Sequence, residues 1–227
     1  MRRDEDPNCG DVVLAMPMKP TKYKTYQDYV IRDGNLVGEF EEMYRDFDDP
    51  WGQTTNESAA LDKFIGLALL KKHGHRRPLE YGCGLGHYTN LLYRELGAGA
   101  GLDISETAIA KARRLYPSPT FYVGDILLLE PLAEFKPDVL IFSQITWYVL
   151  DKLAKFKALL ATSRGGCFLH LLEVYPEGRQ AYGRDYFVDL KGILNYWSEV
   201  IDIQEWGEVC RREDEGGGRT FLYGKIK

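Results

Sequence analysis

Glu80-Tyr81-Gly82-Cys83-Gly84-Leu85-Gly86 is the stretch of this sequence best suited to chemistry. Glycines at alternate positions let a backbone turn tightly and approach a ligand with no Cβ in the way. Asp103 lies about 20 residues further on, the separation at which a carboxylate can accept both hydroxyls of a ribose. Asp125, in Val123-Gly124-Asp125-Ile126, can receive the exocyclic amino group of an adenine. Ser143 and Gln144 follow a later apolar run. In this order the set reads as a nucleoside-binding edge. Singly, each aspartate reads equally well as a helix cap or a solvated loop acid, and the glycines as a packing turn.

A second group of residues could act on a bound molecule. Tyr148 can orient a reactant, or deprotonate one if its pKa is depressed. His170 lies in Phe168-Leu169-His170-Leu171-Leu172, where strand alternation puts it on one face with Phe168 and Leu172. It serves there as a base or as a core histidine. Tyr182 belongs to the run from Glu173 to Phe187, which also holds Tyr175, Tyr186, Arg179 and Arg184. Its tyrosines can wall a pocket and its arginines can grip an anionic group bidentately, or all can pack and pair on the surface. His87 follows the glycine turn, within reach of a ligand there. His73 and His75 sit in a polar loop and are expected in solvent.

These residues need elements to hold them. From Arg77 onward short apolar runs alternate with helical stretches. Strands are expected at Pro78–Tyr81, Ala98–Ile104, Thr120–Val123, Val139–Phe142 and Gly166–Val174. Helices are expected at Tyr88–Glu95, Glu106–Leu115 (capped by Ser105) and Leu150–Leu160. That alternation implies βαβ units and a parallel sheet, whose ligands sit at the carboxyl ends of the strands. Val200–Trp206 and Thr220–Ile226 flank a Gly-rich loop with no intervening helix, and read as a hairpin. Upstream, Phe40, Met43, Tyr44 and Phe47 have helical spacing, ended by Asp48-Asp49-Pro50. A longer helix is expected over 56–70, capped by Asn56, with Leu61, Phe64, Ile65, Ala68 and Leu69 on one face.

Composition narrows the class. The 227 residues are 44% hydrophobic and 28% charged with a net charge of −5, which fits one ordinary soluble domain, or a domain with a small appendage. The acidic balance argues against a duplex-DNA binder. Neither an apolar run of membrane-spanning length nor a secretory leader stands out, which points to the cytoplasm. The four cysteines, 9, 83, 167 and 210, have no metal-ligand spacing and are expected as free thiols, so no metal is expected.

The glycine turn resembles motif I of the class I S-adenosylmethionine-dependent methyltransferases. Its acid-x-G-x-G-x-G order, with His87 where a dinucleotide fingerprint has its last glycine, separates it from the NAD-binding oxidoreductases that are the alternative enzyme reading. The resemblance runs from about residue 40 to the C-terminus. It implies that Glu80, Tyr81, Gly82, Gly84 and Gly86 hold the cofactor, with Asp103 and Ile104 at the ribose, Asp125 and Ile126 at the adenine, and Ser143 flanking the methionine part. Asp48-Asp49-Pro50-Trp51-Gly52 and the stretch from Ser143 to Leu150 are similar to NodS-like small-molecule methyltransferases, which adds Trp51 as a cofactor contact. Where many relatives carry Glu-His after the fourth strand, this chain has Trp147-Tyr148, so no histidine base carries over.

The resemblance implies a Rossmann-like α/β fold. Seven mostly parallel strands, one of them reversed in the C-terminal hairpin, would be flanked by helices on both faces. Residues 1–55 would be a tail and aromatic-rich cap, and 56–227 the methyltransferase domain. The implied activity is methyl transfer from S-adenosyl-L-methionine, leaving S-adenosyl-L-homocysteine. The expected acceptor is a sugar, a nucleotide-linked sugar or a biosynthetic intermediate, anionic or neutral, with oxygen preferred over nitrogen. Partners other than this small molecule, nucleic acid and membrane included, are not expected, apart from a second copy if the aromatic segment Tyr23, Tyr26, Tyr29 makes a dimer contact instead of a lid. A non-enzymatic reading also stands: a silent fold that binds the cofactor as a sensor or interaction subunit.

Overall fold

A computed structural model describes residues 21–53, 61–162, 166–175, 179, 182–210 and 218–227. Asn56, the expected cap of the long helix, lies outside them. The chain opens with a short helix α1 (Gln27–Val30), a hairpin of β1 (Ile31–Arg32) and β2 (Asn35–Leu36), and helix α2 (Phe40–Asp46). Asp33 and Gly34 both take positive φ (52° and 73°), the backbone that a two-residue turn needs to match strand twist. Then come α3 (Leu61–Lys72), β3 (Pro78–Tyr81), α4 (His87–Leu96), β4 (Ala100–Asp103), α5 (Glu106–Leu115) and β5 (Thr120–Val123). The second half holds α6 (Glu130–Phe135), β6 (Val139–Ser143), α7 (Leu153–Thr162), β7 (Cys167–Val174), α8 (Leu190–Ser198), β8 (Ile201–Val209) and β9 (Gly218–Ile226).

The large sheet has the order β5-β4-β3-β6-β7-β9-β8. Pairing is parallel from β5 to β7, and β9 alone runs against its neighbours β7 and β8. The seven-stranded sheet with one reversed strand is therefore as expected. Alternation distributes its side chains to two cores. Tyr81, Phe142, Phe168 and Leu172 pack with α7 and α8 on one face. Ile141, Leu169 and Leu171 pack with α3 and α4 on the other. Ser105 caps α5 as expected, its hydroxyl accepting from the Ala108 N–H.

Helix α3 presents a different face from the expected one. Gly66, Leu67, Leu69 and Leu70 are buried, whereas Leu61, Phe64 and Ala68 are exposed. The spacing found a helix, but Phe64 faces a cleft rather than the core. The expected helix at Leu150 starts later, because two 3-10 turns (Thr146–Tyr148 and Leu150–Lys152) precede α7. His75 is buried rather than solvated, with Nε2 2.8 Å from the Tyr223 hydroxyl, and His73 stacks on the Tyr223 ring. Among the described residues no helix is long and apolar enough to cross a membrane.

The N-terminal elements dock on α5 through charge. Glu41 accepts from the Ser105 hydroxyl (2.6 Å), the Thr107 hydroxyl (2.6 Å) and the Thr107 N–H (3.1 Å). Lys111 Nζ donates to the carbonyls of Tyr44 and Phe47, closing the C-terminus of α2. Burial works to raise the Glu41 pKa; the bonds from Ser105 and Thr107 and the charge of Arg45 outweigh it and hold the carboxyl at about 2. A carboxyl whose pKa is depressed on folding stabilises the fold above its unfolded value, near 4.3, and loses that contribution as pH falls toward 2. Wild type should therefore melt above Glu41→Gln at neutral pH, with the gap closing between pH 4 and 2. A gap independent of pH in thermal scans would refute the clamp.

Candidate functional site

The glycine turn is held open by backbone that only glycine adopts easily. Gly82, Gly84 and Gly86 have φ of 67°, 54° and 76°. The N–H groups of Gly82 and Cys83 both donate to the Leu102 carbonyl, at 2.7 and 3.0 Å. A Cβ on Gly82 would run into the Ile145 side chain. Gly82 borders a cleft of about 1080 Å³ that opens at the carboxyl ends of the parallel strands. Gly84 and Gly86 lie behind Gly82 in the same turn and do not line the cleft.

Asp103 ends β4, 8% exposed, on the cleft wall. Its two oxygens accept from the N–H groups of Gly84 (2.8 Å) and Ser105 (3.0 Å). Each retains a second lone pair for a ligand. Burial pushes its pKa up while those backbone bonds oppose the shift. Asp125 follows β5 and also lines the cleft; one oxygen accepts from the Leu127 N–H and the other faces Lys152 Nζ at 3.4 Å. Ile104, half exposed, and Ile126, buried, supply apolar surface between the two acids.

The far wall comes from the N-terminal elements. Trp51 donates its Nε1–H to the Tyr44 hydroxyl at 3.0 Å. Tyr26 stands edge-on to it at 5.1 Å and Tyr148 is tilted against it at 5.5 Å. Of the three expected lid tyrosines, Tyr26 alone lines the cleft; Tyr29 is fully buried beneath it. The other end of the cleft is polar. Asp62 of α3, 2% exposed, accepts from Arg219 Nη1 (2.9 Å) and Gln144 Nε2 (2.8 Å). Arg219 Nη2 also lies 3.6 Å from Glu173. Gln144 follows β6 in a left-handed conformation (φ 63°) and accepts the Glu173 N–H through its side chain, two bonds that offset its strain.

This arrangement can take a ligand with an adenosine at one end and a polar reactant at the other. On the cleft wall the buried atoms Ser143 Oγ, Gln53 Oε1 and His87 Nε2 have no hydrogen-bond partner among the described residues. Unsatisfied buried polar atoms cost free energy unless a ligand or water completes them. The acids, the cradle without side chains and these orphaned atoms fit a nucleoside with polar appendages.

Comparison with known proteins agrees. A family model described as a methyltransferase domain matches residues 72–180. Residues 72–180 of this chain form a methyltransferase domain. It is 15% identical to the N-methyltransferase NodS from Bradyrhizobium japonicum WM9, solved with S-adenosyl-L-homocysteine, over 79% of this chain and 93% of that one, with a TM-score of 0.61. It is 16% identical to magnesium protoporphyrin IX methyltransferase (ChlM) from Synechocystis PCC 6803, solved with bound cofactor, over 89% and 90%, at 0.55. A third likeness is to the PH0226 protein from Pyrococcus horikoshii OT3, 20% identical over 83% and 100%, at 0.58. At these identities the solved structures establish the fold, and the family match places the methyltransferase domain on it.

Several residues expected at the methyltransferase site lie elsewhere. His170 is fully buried in the sheet core, with Nε2 2.8 Å from the Thr146 hydroxyl and its ring among Phe142, Phe168 and Trp197. Burial pushes its pKa down to about 3, so it is a neutral core histidine and not a base at the cleft. Tyr182 packs half-buried against the same core and does not line the cleft. The Tyr81 side chain alternates into that core against Phe142 and Phe156 and does not line the cleft. Glu80 points to the other face, where it accepts the Thr89 hydroxyl at 2.5 Å, buried behind the turn and off the cleft wall; burial raises its pKa to about 7. Tyr148 does line the cleft, but burial pushes its phenol well up, so it stays protonated and cannot be the base that a depressed pKa would have made it.

Other residues take the places that the sequence reading left open. Arg179 and Arg184 are exposed and off the cleft, whereas Arg219 of β9 lines it. Asp62 and Glu173 also line it and were not singled out for that role. Arg219 sits just past the Gly-rich hairpin loop, and its even spacing from Phe221 and Tyr223 gave no sign that it reaches across the sheet. His87 borders the cleft, its Nδ1 2.6 Å from the Tyr116 hydroxyl.

Proposed function

We propose that the protein methylates a small molecule at a hydroxyl oxygen, the acceptor being a sugar, a nucleotide-linked sugar or a biosynthetic intermediate, and that it does so in the cytoplasm. The observation that carries this reading is the single cleft, with the glycine turn, Asp103 and Asp125 at one end and the Asp62–Arg219–Glu173 group at the other. S-adenosylmethionine, when bound, supplies an electrophilic methyl group on a sulfonium. Asp103 accepts the ribose hydroxyls, Asp125 the adenine amino group, and Ile104 and Ile126 flank the base. Ser143, with its orphaned hydroxyl, bonds the methionine part. Trp51, Tyr26, Phe40 and Tyr148 cover the reacting end and exclude water. Glu173, beside Tyr175 and Arg219, is placed to take the proton of an acceptor hydroxyl, the role that neither His170 nor Tyr148 can fill.

An amine acceptor is the second reading, because the solved NodS is an N-methyltransferase. It needs no base if the amine enters neutral. Calorimetry should show binding of S-adenosylmethionine and S-adenosylhomocysteine with NAD silent, and tight NAD binding would reverse the assignment. Incubation with methyl-labelled cofactor and a metabolite extract should then transfer label to a small acceptor. Binding without transfer to any acceptor would favour the sensor reading instead.

A further inference from the structure

A cluster of titratable groups lies at the opposite end of the sheet from the cleft, and methyl transfer has no use for it. Cys167 opens β7, paired in register with Val139 of β6 and Lys225 of β9. The Tyr223 hydroxyl, from β9, donates to Cys167 Sγ at 3.4 Å and lies 2.8 Å from His75 Nε2. His75 Nδ1 in turn lies 3.4 Å from an Asp138 carboxylate oxygen, and that carboxylate is pinned by the N–H groups of Arg76 and Arg77 at 2.7 and 3.1 Å. Thiol, phenol, imidazole and carboxylate thus follow one another, contributed by the loop before β3 and the starts of β6 and β7 together with β9. We propose that Cys167 is a nucleophilic thiol and a covalent modification site for soft electrophiles and hydroperoxides, activated by His75, which Asp138 and Tyr223 hold in place.

The surroundings suit a thiolate–imidazolium pair. Burial works to lower the His75 pKa, but bonds to Asp138 and Cys167 overturn it and push it up to about 9. Half-burial works to raise the Cys167 thiol; bonds from His75 and Tyr223 and the charges of His75 and Lys225 prevail and bring it below the ordinary value. The groups that face the pair from the packed elements are Asp138 of the β6 entry, Tyr223 and Lys225 of β9, and Glu205 of β8, which bonds His73 and Lys72 beside the Tyr223 ring. Cys167 is half-buried, so a small reagent reaches it, in contrast to Cys83, which is buried and whose thiol burial pushes well up.

The reaction balances with a hydroperoxide as oxidant. The thiol proton passes to His75, and the thiolate attacks the terminal peroxide oxygen. An S–O bond forms and the O–O bond breaks. The leaving alkoxide or hydroxide takes the proton from the imidazolium, so that sulfur loses two electrons to a sulfenic acid and the peroxide gains two. With iodoacetamide an S–C bond forms and iodide leaves.

The full-length protein should be treated with iodoacetamide between pH 5.5 and 9.5 and read by peptide mass spectrometry. Cys167 should label about tenfold faster than the exposed Cys210 at pH 6.5, with a rate midpoint below the roughly 8.5 of a free thiol. His75→Gln should slow labelling about tenfold at that pH and return the midpoint toward 8.5. Hydrogen peroxide with dimedone should mark Cys167 ahead of Cys83 and Cys210. Labelling no faster than that of Cys210, or an unchanged rate in His75→Gln, would overturn the proposal. If His75→Gln fails to fold, thiolate absorbance near 240 nm, titrated in wild type and in Cys167→Ser, decides the same point. A step below the roughly 8.5 of a free thiol that vanishes in Cys167→Ser is expected, and a step absent from wild type overturns the proposal. None of these readouts involves the cofactor or an acceptor, so they stand or fall apart from the methyltransferase assignment.

Discussion

Asp103→Ala is expected to remove S-adenosylhomocysteine binding, with affinity falling at least about 100-fold in calorimetry. Charge-assisted hydrogen bonds to a buried carboxylate are worth roughly 1.5–3 kcal/mol each, so losing a pair of ribose contacts accounts for that factor. The alanine also strips acceptors from the N–H groups of Gly84 and Ser105, which loosens the turn itself. Asp103→Asn keeps the shape of the side chain and one accepting oxygen, so it spares one of those two backbone bonds and should lose less affinity than the alanine, about tenfold. Unchanged affinity in both variants would take the ribose role away from this residue.

The second large effect is expected on stability. Asp62 is almost completely removed from water and is neutralised by Arg219 across the α3–β9 contact. Arg219→Met leaves that carboxylate with Gln144 as its remaining hydrogen-bond partner among the described residues. Stranding one member of a buried ion pair costs about 3–5 kcal/mol, whereas replacing both with apolar groups of similar size is often neutral. Chemical denaturation should register the loss in the single variant, with a fall in melting temperature of roughly 10 °C. Arg219→Met with Asp62→Leu should recover most of it. Equal stability of the single variant and wild type would mean that the pair is solvated in solution. Because the same arginine touches Glu173, the double variant is also expected to bind cofactor normally and transfer methyl poorly.

The sheet was legible because its signals are local. Short apolar runs closed by glycine or aspartate mark β3 to β5, and Ser105 announces α5 through one side-chain bond. That the glycine turn, Asp103 and Asp125 meet at one end of the cleft was legible for the same reason: parallel strands bring every residue that follows a strand to one edge, so sequence order becomes spatial neighbourhood. Asp33-Gly34 is a hairpin turn signal inside the segment weighed as a lid or dimer contact, and Asp189 before Leu190, Ile193, Leu194 and Trp197 announces α8 with its cap on the Gly192 N–H, in a stretch that the sequence reading passed over. The polar end of the cleft was not legible. Asp62, Glu173 and Arg219 come from three distant elements, and nothing in their local spacing records that they meet. Alternation put His170 on the face of Phe168 and Leu172; it could not say that α8 would close over that face and bring Trp197 against the imidazole.

Tyr44 ties the first segment to the nucleotide loop more closely than a cover would need. Its hydroxyl stands where a side chain on Gly84 would go, 2.5 Å from that imagined Cβ, and its ring shares a small core with Leu85 and Ala108. Chimeras that exchange only the first sixty residues between relatives would therefore graft a wall onto a mismatched footing. Redirecting the enzyme to new acceptors by such swaps should succeed only when Leu85, Ala108 and Lys111 travel with the segment they support.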